Sequence, residues 1–404
     1  MIAADQWRAY NAAVDAIRSA AEDEVREAVL SWLSEHPRAT VAEAREEAAR
    51  IMRGVVQRHD KAAASLAAEW YDAQGRANGV ALDRAVTAPT YSAGSVDALV
   101  RYQVRKYQDG GLEGFAAMCG EFAANEAMRS VNETILRNTR RDRSKGVRFA
   151  RVTSGRNTCS FCLMLAGRGA VYHTRESAGE FNRWHRHCTC KVVPSFSGDK
   201  WETLVEGHDP RDAKRWSDRI EAARKARQAI PAFPGNVSAE AEELQDALDA
   251  AWSAHLGNGG DVSSYRESYA KVVSSAVPEN PIEIEDFAKL EGKELQEATW
   301  LARTGHKVKF RNPNDHKNTD GNTSDAILDG VTCDFKRVTS PKAKKAVREV
   351  TGKLDRQGPM FLLDLTESDL TEDEALVRMA QVLDDPSVDG VIVAKNGRLT
   401  CLKK

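Results

Sequence analysis

The chain has no apolar run approaching the roughly 18 residues of a membrane-spanning helix, so a spanning segment is not expected. It has no excess of one charge: 58 Lys and Arg face 60 Asp and Glu, a formal net charge of −2. That balance excludes a uniformly basic nucleic-acid coat and an acidic solvating tail, but not a local basic patch hidden by averaging. Its opening stretch, beginning Met1-Ile2-Ala3-Ala4-Asp5, carries no basic segment, apolar core and cleavage site in series, so no signal peptide is expected. No internal repeat is visible. Cysteine is scarce and odd in number, seven in 404 residues, and four fall between Cys159 and Cys190. That distribution fits a reducing compartment with one local metal or redox feature better than a disulfide framework.

At this length, and with 29% charged and 42% hydrophobic residues, the composition is that of two to four ordinary globular domains. Residues 1–151 read as helical. Trp7, Tyr10, Val14, Ile17, Ala21, Val25, Val29 and Trp32 recur at helical spacing and define one face. Thr40 and Glu43 have capping-box spacing; the helix they begin is expected to run to about Asp72 with a break near Gly54. After a loop at Thr87–Gly94, helices are expected at Val96–Asp109 and Leu112–Asn138. Arg137, Arg140, Arg141, Arg143, Lys145, Arg148 and Arg151 form a basic run that reads as a solvated face. Residues 152–196 form a Cys/His module, and 197–282, interrupted by Pro231–Gly235, Gly257–Gly260 and Pro278–Pro281, a helical connector. Residues 283–404 change to an α/β pattern. It comprises a helix from Glu283 to Thr304, strands at His306–Arg311, Ser324–Leu328 and Val331–Val338, and a helix after Pro341. A strand at Met360–Leu365, a helix at Thr371–Leu383 and a closing pair around Asn396-Gly397 complete it.

Within the cysteine module, Cys159-Ser-Phe-Cys162 is followed after 25 residues by Cys188-Thr-Cys190, preceded by His185 and His187. Two cysteines spaced by two residues reach one ion from a tight turn, and a second group from a distant segment closes a tetrahedral Zn²⁺ site. The preferred ligands are Cys159, Cys162, His185 and Cys188, with Cys190 or His187 as substitute. The alternative is a set of reduced cysteines that bind nothing. Thr158–Tyr172, with Phe181, His185, Cys188, Cys190 and Pro194, resembles the F-like minor head proteins of Mu-type tailed bacteriophages. The resemblance extends over residues 1–196 and implies a low-copy head-morphogenesis protein near the portal. Its partners would be capsid and portal proteins, and its place the virion or the host cytoplasm.

In Val331–Val338, Thr332, Asp334 and Lys336 alternate with Val331, Cys333 and Phe335, so Asp334 and Lys336 project together from a strand with an apolar opposite face. Pairing across Asp329-Gly330 brings Asp325 towards Asp334. Two carboxylates and a lysine so placed suit Mg²⁺-dependent phosphodiester hydrolysis: the carboxylates hold the cation and the lysine stabilises developing charge. Glu294, on a stripe with Leu290, Ala298 and Leu301, is the expected fourth member, and Glu297 the nearby alternative. Lys336–Arg356 holds Lys336, Arg337, Lys342, Lys344, Lys345, Arg348, Lys353 and Arg356, which suits a polyanionic substrate. Glu294–Val308, Ser324-Asp325, Asp334-Phe-Lys336, Gln357 and Val388–Val393 resemble the PD-(D/E)xK nuclease superfamily. The closest likeness is to the toxin domains of contact-dependent growth inhibition proteins, several of which cleave tRNA. Ser324 stands where that superfamily often has proline. The resemblance implies that Glu294, Asp325 and Asp334 hold metal and Lys336 is catalytic, with Gln357 an accessory and a cognate immunity protein as a further partner.

The sequence thus leads to a multidomain chain: a mainly α minor-head region, a small Cys/His module and a PD-(D/E)xK-like α/β nuclease domain, with tRNA or DNA as substrate. The competing readings are a minor head protein with an inactive nuclease fold, and a DNA nuclease acting in packaging.

Overall fold

The computed structural model describes residues 1–108, 111–154, 158–172, 190–230, 237–258, 262–285, 288, 290–312, 324–352 and 358–404. His185, His187, Cys188, Gln357, Lys353 and Arg356 lie outside them. The chain divides into two compact units, Met1–Arg215 and Trp216–Lys404.

In the first unit, helices α1 (Ala4–Glu35), α2 (Val41–Ala77), α3 (Ala93–Gln108) and α4 (Leu112–Arg141) pack into a bundle. Helix α1 buries Trp7, Tyr10, Val14, Ala21, Val25 and Val29 as the periodicity predicts, with Leu33 buried at its end while Trp32 stacks on His36. Thr40 and Glu43 form the capping box. The break expected at Gly54 is absent, and α2 runs unbroken through it. Gly54 is exposed, and its propensity cost of about 1 kcal/mol is outweighed by burial of Met52, Val55 and Val56 on the other face. Gly120 is where a glycine is required: a Cβ there would lie 2.5 Å from the Glu22 carbonyl oxygen, so only glycine lets α4 approach α1 this closely.

Strand β1 (Arg148–Val152) pairs antiparallel with β2 (Lys191–Ser195), Val152 opposite Lys191, and α5 (Ser160–Ala166) packs on β1. Phe149, Val152, Leu165, Tyr172, Val192 and Val193 share one core with Trp7, Tyr71, Val131 and Ile135 of the bundle. The described part of the cysteine module is therefore a continuation of the helical core. The basic run is also more divided than expected. Arg137, Arg140, Arg143 and Lys145 are exposed, but Arg141 clasps Asp142 and the carbonyls of Asp83 and Arg84, and Arg151 is buried.

Helix α6 (Pro210–Lys225) leads into the second unit, where Trp216 and Arg219 bond to Asp384 and Arg224 pairs with Asp373. An eight-stranded sheet forms its centre, with strand order β3-β10-β9-β8-β7-β6-β5-β4. The strands are β3 (Gln228–Ala229), β4 (Glu283–Ile284), β5 (Val308–Phe310), β6 (Ala326–Leu328), β7 (Val331–Arg337), β8 (Met360–Asp364), β9 (Gly390–Lys395) and β10 (Arg398–Lys403). Strands β7, β8 and β9 are parallel; β5, β6 and β7 run antiparallel, as do β9 and β10. The predicted Asp329-Gly330 and Asn396-Gly397 turns are present, each with positive φ at both residues, as a tight two-residue hairpin turn demands.

Helices α7 (Val237–Asn258), α8 (Ser263–Ser275) and α9 (Gly292–Arg303) serve one face of this sheet. Ala241, Tyr269, Val273, Val277, Leu295, Ala298 and Leu301 share a core with Cys333, Phe335, Leu362, Ile392 and Ala394. Residues of the other parity, Phe361, Leu363, Val391 and Val393, are equally buried, and α10 (Ala343–Thr351) and α11 (Glu372–Val382) contact each other, with α11 on β9 and β10. Burial on both faces explains why β8 is an unbroken apolar run. Two boundaries differ from expectation. The stretch expected as a connector supplies an edge strand and two core helices, because α7 and α8 cover an apolar sheet face that would otherwise be wet. The helix expected from Glu283 begins only at Gly292; Glu283 and Ile284 instead pair parallel with β5, and Glu291 and Glu294 cap the helix start reciprocally.

Candidate functional site

In the second unit the candidate site forms where β6 ends and β7 continues. Ala326 pairs with Cys333, so the next residues back and forward, Asp325 and Asp334, stand opposite one another. Strand β7 loses its neighbour at this point, and the Asp325 carboxylate takes the neighbour's place: its Oδ2 accepts the Phe335 backbone N–H at 2.6 Å. Cys333 and Phe335 point into the core beneath α9, Phe335 meeting Phe310 edge to face. Asp334 and Lys336 alternate to the opposite side, where the Lys336 ammonium forms an ion pair with Asp334 Oδ2.

Asp334 is 0% exposed, and among the described residues neither carboxylate oxygen has a properly aligned hydrogen-bond partner. Lys336 is close enough for Coulomb attraction without supplying that alignment. Burial raises the Asp334 pKa well above the carboxylate range, Asp325 raises it further, and Lys336 opposes both. A buried, poorly satisfied carboxylate beside a second carboxylate is costly unless a cation is shared between them. The donor chemistry of Asp325 and Asp334 fits a hard divalent ion.

Glu294 approaches from the first turn of α9. Burial, then the charge of Asp325, raises its pKa to about 7, with Lys336 acting the other way. Its Oε2 accepts the Glu291 backbone N–H at 2.8 Å, so it also closes the helix cap. The structure thus brings Asp325, Asp334 and Lys336 into contact and holds Glu294 within electrostatic reach of Asp325 and Lys336. Among the described residues no group of three or more Asp, Glu, His or Cys side chains is placed to hold a metal ion. Two carboxylates fit an ion that keeps its remaining positions for water and phosphate oxygens, the usual habit of Mg²⁺.

Two groups near this cluster, Tyr269 and Asp364, escaped the sequence reading, and a third, Arg337, was read only as part of a basic run. The Tyr269 hydroxyl on α8 is buried without an aligned partner among the described residues, and burial together with the Glu294 and Asp249 charges raises its pKa. Arg337, the residue after Lys336, falls on the apolar side of β7 and bonds to Asp364 and Glu297. Strand alternation already places Arg337 among Cys333 and Phe335, and a guanidinium on an apolar face requires buried carboxylate partners. That signal was present in the sequence; Tyr269 and Asp364 carried none.

In the first unit, Cys159 caps α5, its Sγ accepting the Cys162 backbone N–H at 3.3 Å. Cys162 and Cys190 bring their sulfurs to 3.0 Å, well beyond a disulfide bond, and Arg151 bonds to both. Two sulfurs, those of Cys162 and Cys190, therefore meet between α5 and the residue before β2, with Cys159 packed against them. Two thiolates on one tetrahedral zinc would sit about 3.8 Å apart, a small adjustment from this arrangement. His185 and Cys188 lie outside the described residues, and the described cysteines Cys159, Cys162 and Cys190 do not by themselves form a three-ligand site. Of the candidates for the second half of the site, Cys190 is the one placed against Cys162.

Among the described residues no helix is long and apolar enough to cross a membrane. The contact-dependent growth inhibition CdiA C-terminal domain matches residues 322–399, a stretch that includes Asp325, Asp334 and Lys336 but not Glu294. A solved structure, the CdiA-CT/CdiI toxin and immunity complex from Burkholderia pseudomallei, is 19% identical and covers 28% of this chain and 83% of that one, with a TM-score of 0.23. On the amino-terminal side, the Gene 15 protein of Mycobacterium phage D29 is 28% identical over 128 residues, 25% of this chain and 45% of the relative. The Gene 15 protein of Mycobacterium phage L5 is 32% identical over 89 residues, 13% of this chain and 30% of the relative. The chain thus spans less than half the length of these curated relatives. The VG15 protein family matches residues 1–223, more than half of the chain. A phage-protein region is therefore followed by a toxin-like carboxy-terminal domain, and the chain belongs to the VG15 protein family.

Proposed function

We propose that this chain is a minor head protein of a phage particle whose second unit is a metal-dependent nuclease of the PD-(D/E)xK kind. The observation that carries the nuclease reading is Asp334: a fully buried carboxylate with no aligned donor among the described residues, opposite Asp325 and ion-paired with Lys336. Asp325 and Asp334 would hold Mg²⁺, which when bound supplies positive charge to the phosphate and acidifies its water. Lys336 neutralises charge that develops on the phosphate oxygens. Glu294, with a pKa near 7, is suited to accept the proton of the attacking water. Helix α10 buries Ala346 and Val350 and exposes Lys342, Lys344, Lys345 and Arg348, a basic face suited to a phosphate backbone. tRNA is the favoured substrate on the resemblance to growth-inhibition toxins, and an immunity protein is the corresponding partner. Capsid and portal proteins are the partners proposed for the first unit.

Incubating the full chain with tRNA and with duplex DNA, in Mg²⁺ or EDTA, tests this. Cleavage of tRNA in Mg²⁺ alone is the expected result. Cleavage of duplex DNA only would favour packaging, and no cleavage of either would leave an inactive nuclease fold. The apposition of Cys162 and Cys190, with Cys159 packed beside them, supports a structural Zn²⁺ site completed by His185 or Cys188. Elemental analysis of the purified chain should give about one zinc per molecule, reduced in Cys162→Ser. Zinc-free protein purified without chelators would refute the site.

A further inference from the structure

Helix α9 carries two glutamates one turn apart. Glu294 faces the Asp325 cluster, while Glu297, 3% exposed, turns to Arg337, which donates from Nη2 to Glu297 Oε1 at 3.1 Å. From Nε the same guanidinium donates to Asp364 Oδ2 at 2.9 Å. Asp364, 0% exposed at the end of β8, is fixed in turn: its Oδ1 accepts the Thr366 backbone N–H at 2.9 Å and the Thr366 hydroxyl at 2.7 Å. Glu367 lies at the rim, 3.9 Å from Arg337 Nη1. One side chain therefore ties together the strand that carries Asp334 and Lys336, the helix that carries Glu294 and the neighbouring strand.

We propose that Arg337 is a positioning residue: clamped between Glu297 and Asp364, it sets the spacing of Glu294 on α9 from Asp325, Asp334 and Lys336 at the end of β7. The proposal rests on reading that cluster as a cation-holding nuclease site. The chemistry of the clamp suits the task. A guanidinium presents donors in a rigid fork and can grip two acceptors on different elements, whereas an ammonium is a point charge on a flexible stem. Buried ion networks give little stability over well-packed apolar replacements, so such a network is better suited to fixing geometry than to adding stability. With two carboxylates around one guanidinium, burial and the Asp364 charge favour a neutral group at position 297, and an amide there can still accept from Arg337. Glu297 is thus assigned to the clamp and Glu294 to the cluster.

The test uses the full chain and Mn²⁺, titrated calorimetrically without substrate. The contribution of the cluster is the heat lost in Asp334→Asn. Arg337→Lys and Arg337→Met should stay folded by circular dichroism and weaken that Mn²⁺ binding about tenfold or more, the usual effect of losing support behind a ligand. Glu297→Gln should bind within about twofold of the wild type, because its amide preserves the bond to Arg337. Folded Arg337 variants with wild-type affinity overturn the clamp alone. Joint unfolding of both Arg337 variants assigns the network to stability and overturns it as well. Loss in Glu297→Gln as deep as in Asp334→Asn makes Glu297 a ligand and reverses the assignment. A wild-type chain that binds no Mn²⁺ at this cluster overturns the underlying cation-site reading itself.

Discussion

Lys336→Ala in the full chain is expected to slow single-turnover cleavage in saturating Mg²⁺ by about 10³-fold, within the range seen when a positioned charge-stabilising donor is removed. Two losses coincide. The developing negative charge on the phosphate loses its ammonium, and Asp334, 0% exposed, loses the Lys336 cation that stands beside it. Removing one partner of a buried pair costs about 3–5 kcal/mol where the other group is ionised, so without metal the melting temperature of the second unit should fall, most at alkaline pH where Asp334 has lost its proton. Mg²⁺ should recover most of that stability but not the rate, because the ion neutralises Asp334 without replacing Lys336 at the phosphate. Lys336→Arg should not restore the rate, since a planar fork cannot occupy the place of a compact ammonium that is only 12% exposed. Cleavage by Lys336→Ala within about threefold of the wild type would remove Lys336 from the mechanism. Asp334→Asn separates the roles further: it should lose cation binding and cleavage together while keeping the shape of the site.

The cluster was legible in the sequence because its logic is local. Alternation along β7 and a two-residue turn at Asp329-Gly330 are enough to pair Asp325 with Asp334 and to put Lys336 on the same side. The apolar strands and the capped helices follow from equally short-range rules. The limits of the second unit were not legible, because Ala241, Tyr269 and Val273 join the core of residues far along the chain and a polar, interrupted stretch gives no local sign of this. The end of the helix preceding Glu294 was misplaced for a related reason. Pairing of Glu283 and Ile284 with β5 is a tertiary event, and it outweighs the helix propensity of that acidic segment. Arg151 was read with its basic neighbours, yet β1 is buried from Phe149 to Val152, and the cysteine sulfurs give the buried guanidinium partners.

Raising the pH from 5 to 8 without divalent cations is expected to destabilise the second unit, the reverse of the behaviour of salt-bridged carboxylates. Burial is the first cause in each case: it lifts Glu294 to about 7 and Glu297 to about 8, from an ordinary 4.5, and raises Asp334 as well. Above pH 4.5 the unfolded chain releases protons that the native unit still holds, so its stability is complete below that pH. It declines as the pH climbs through 7 and 8 and levels off once the native groups have also ionised. One pKa unit corresponds to about 1.4 kcal/mol, so the deeply buried Glu297 alone contributes roughly 2–4 kcal/mol of this slope after relaxation. For a unit of this size that is about 5–10 °C in melting temperature. Glu297→Gln removes one of the groups and should flatten the slope between pH 6 and 8. Mg²⁺ should act most strongly at pH 8, because it competes with protons for Asp325 and Asp334. At about a hundred times its dissociation constant it adds roughly 2.7 kcal/mol to the native state. Thermal denaturation at pH 5, 6.5 and 8, with Mg²⁺ and with EDTA, measures both effects. A melting temperature for the second unit that rises with pH in EDTA, or a Mg²⁺ effect no larger at pH 8 than at pH 5, would show that the acids at Glu294, Glu297 and Asp334 are already ionised. They would then carry neither the proton nor the cation that this arrangement requires.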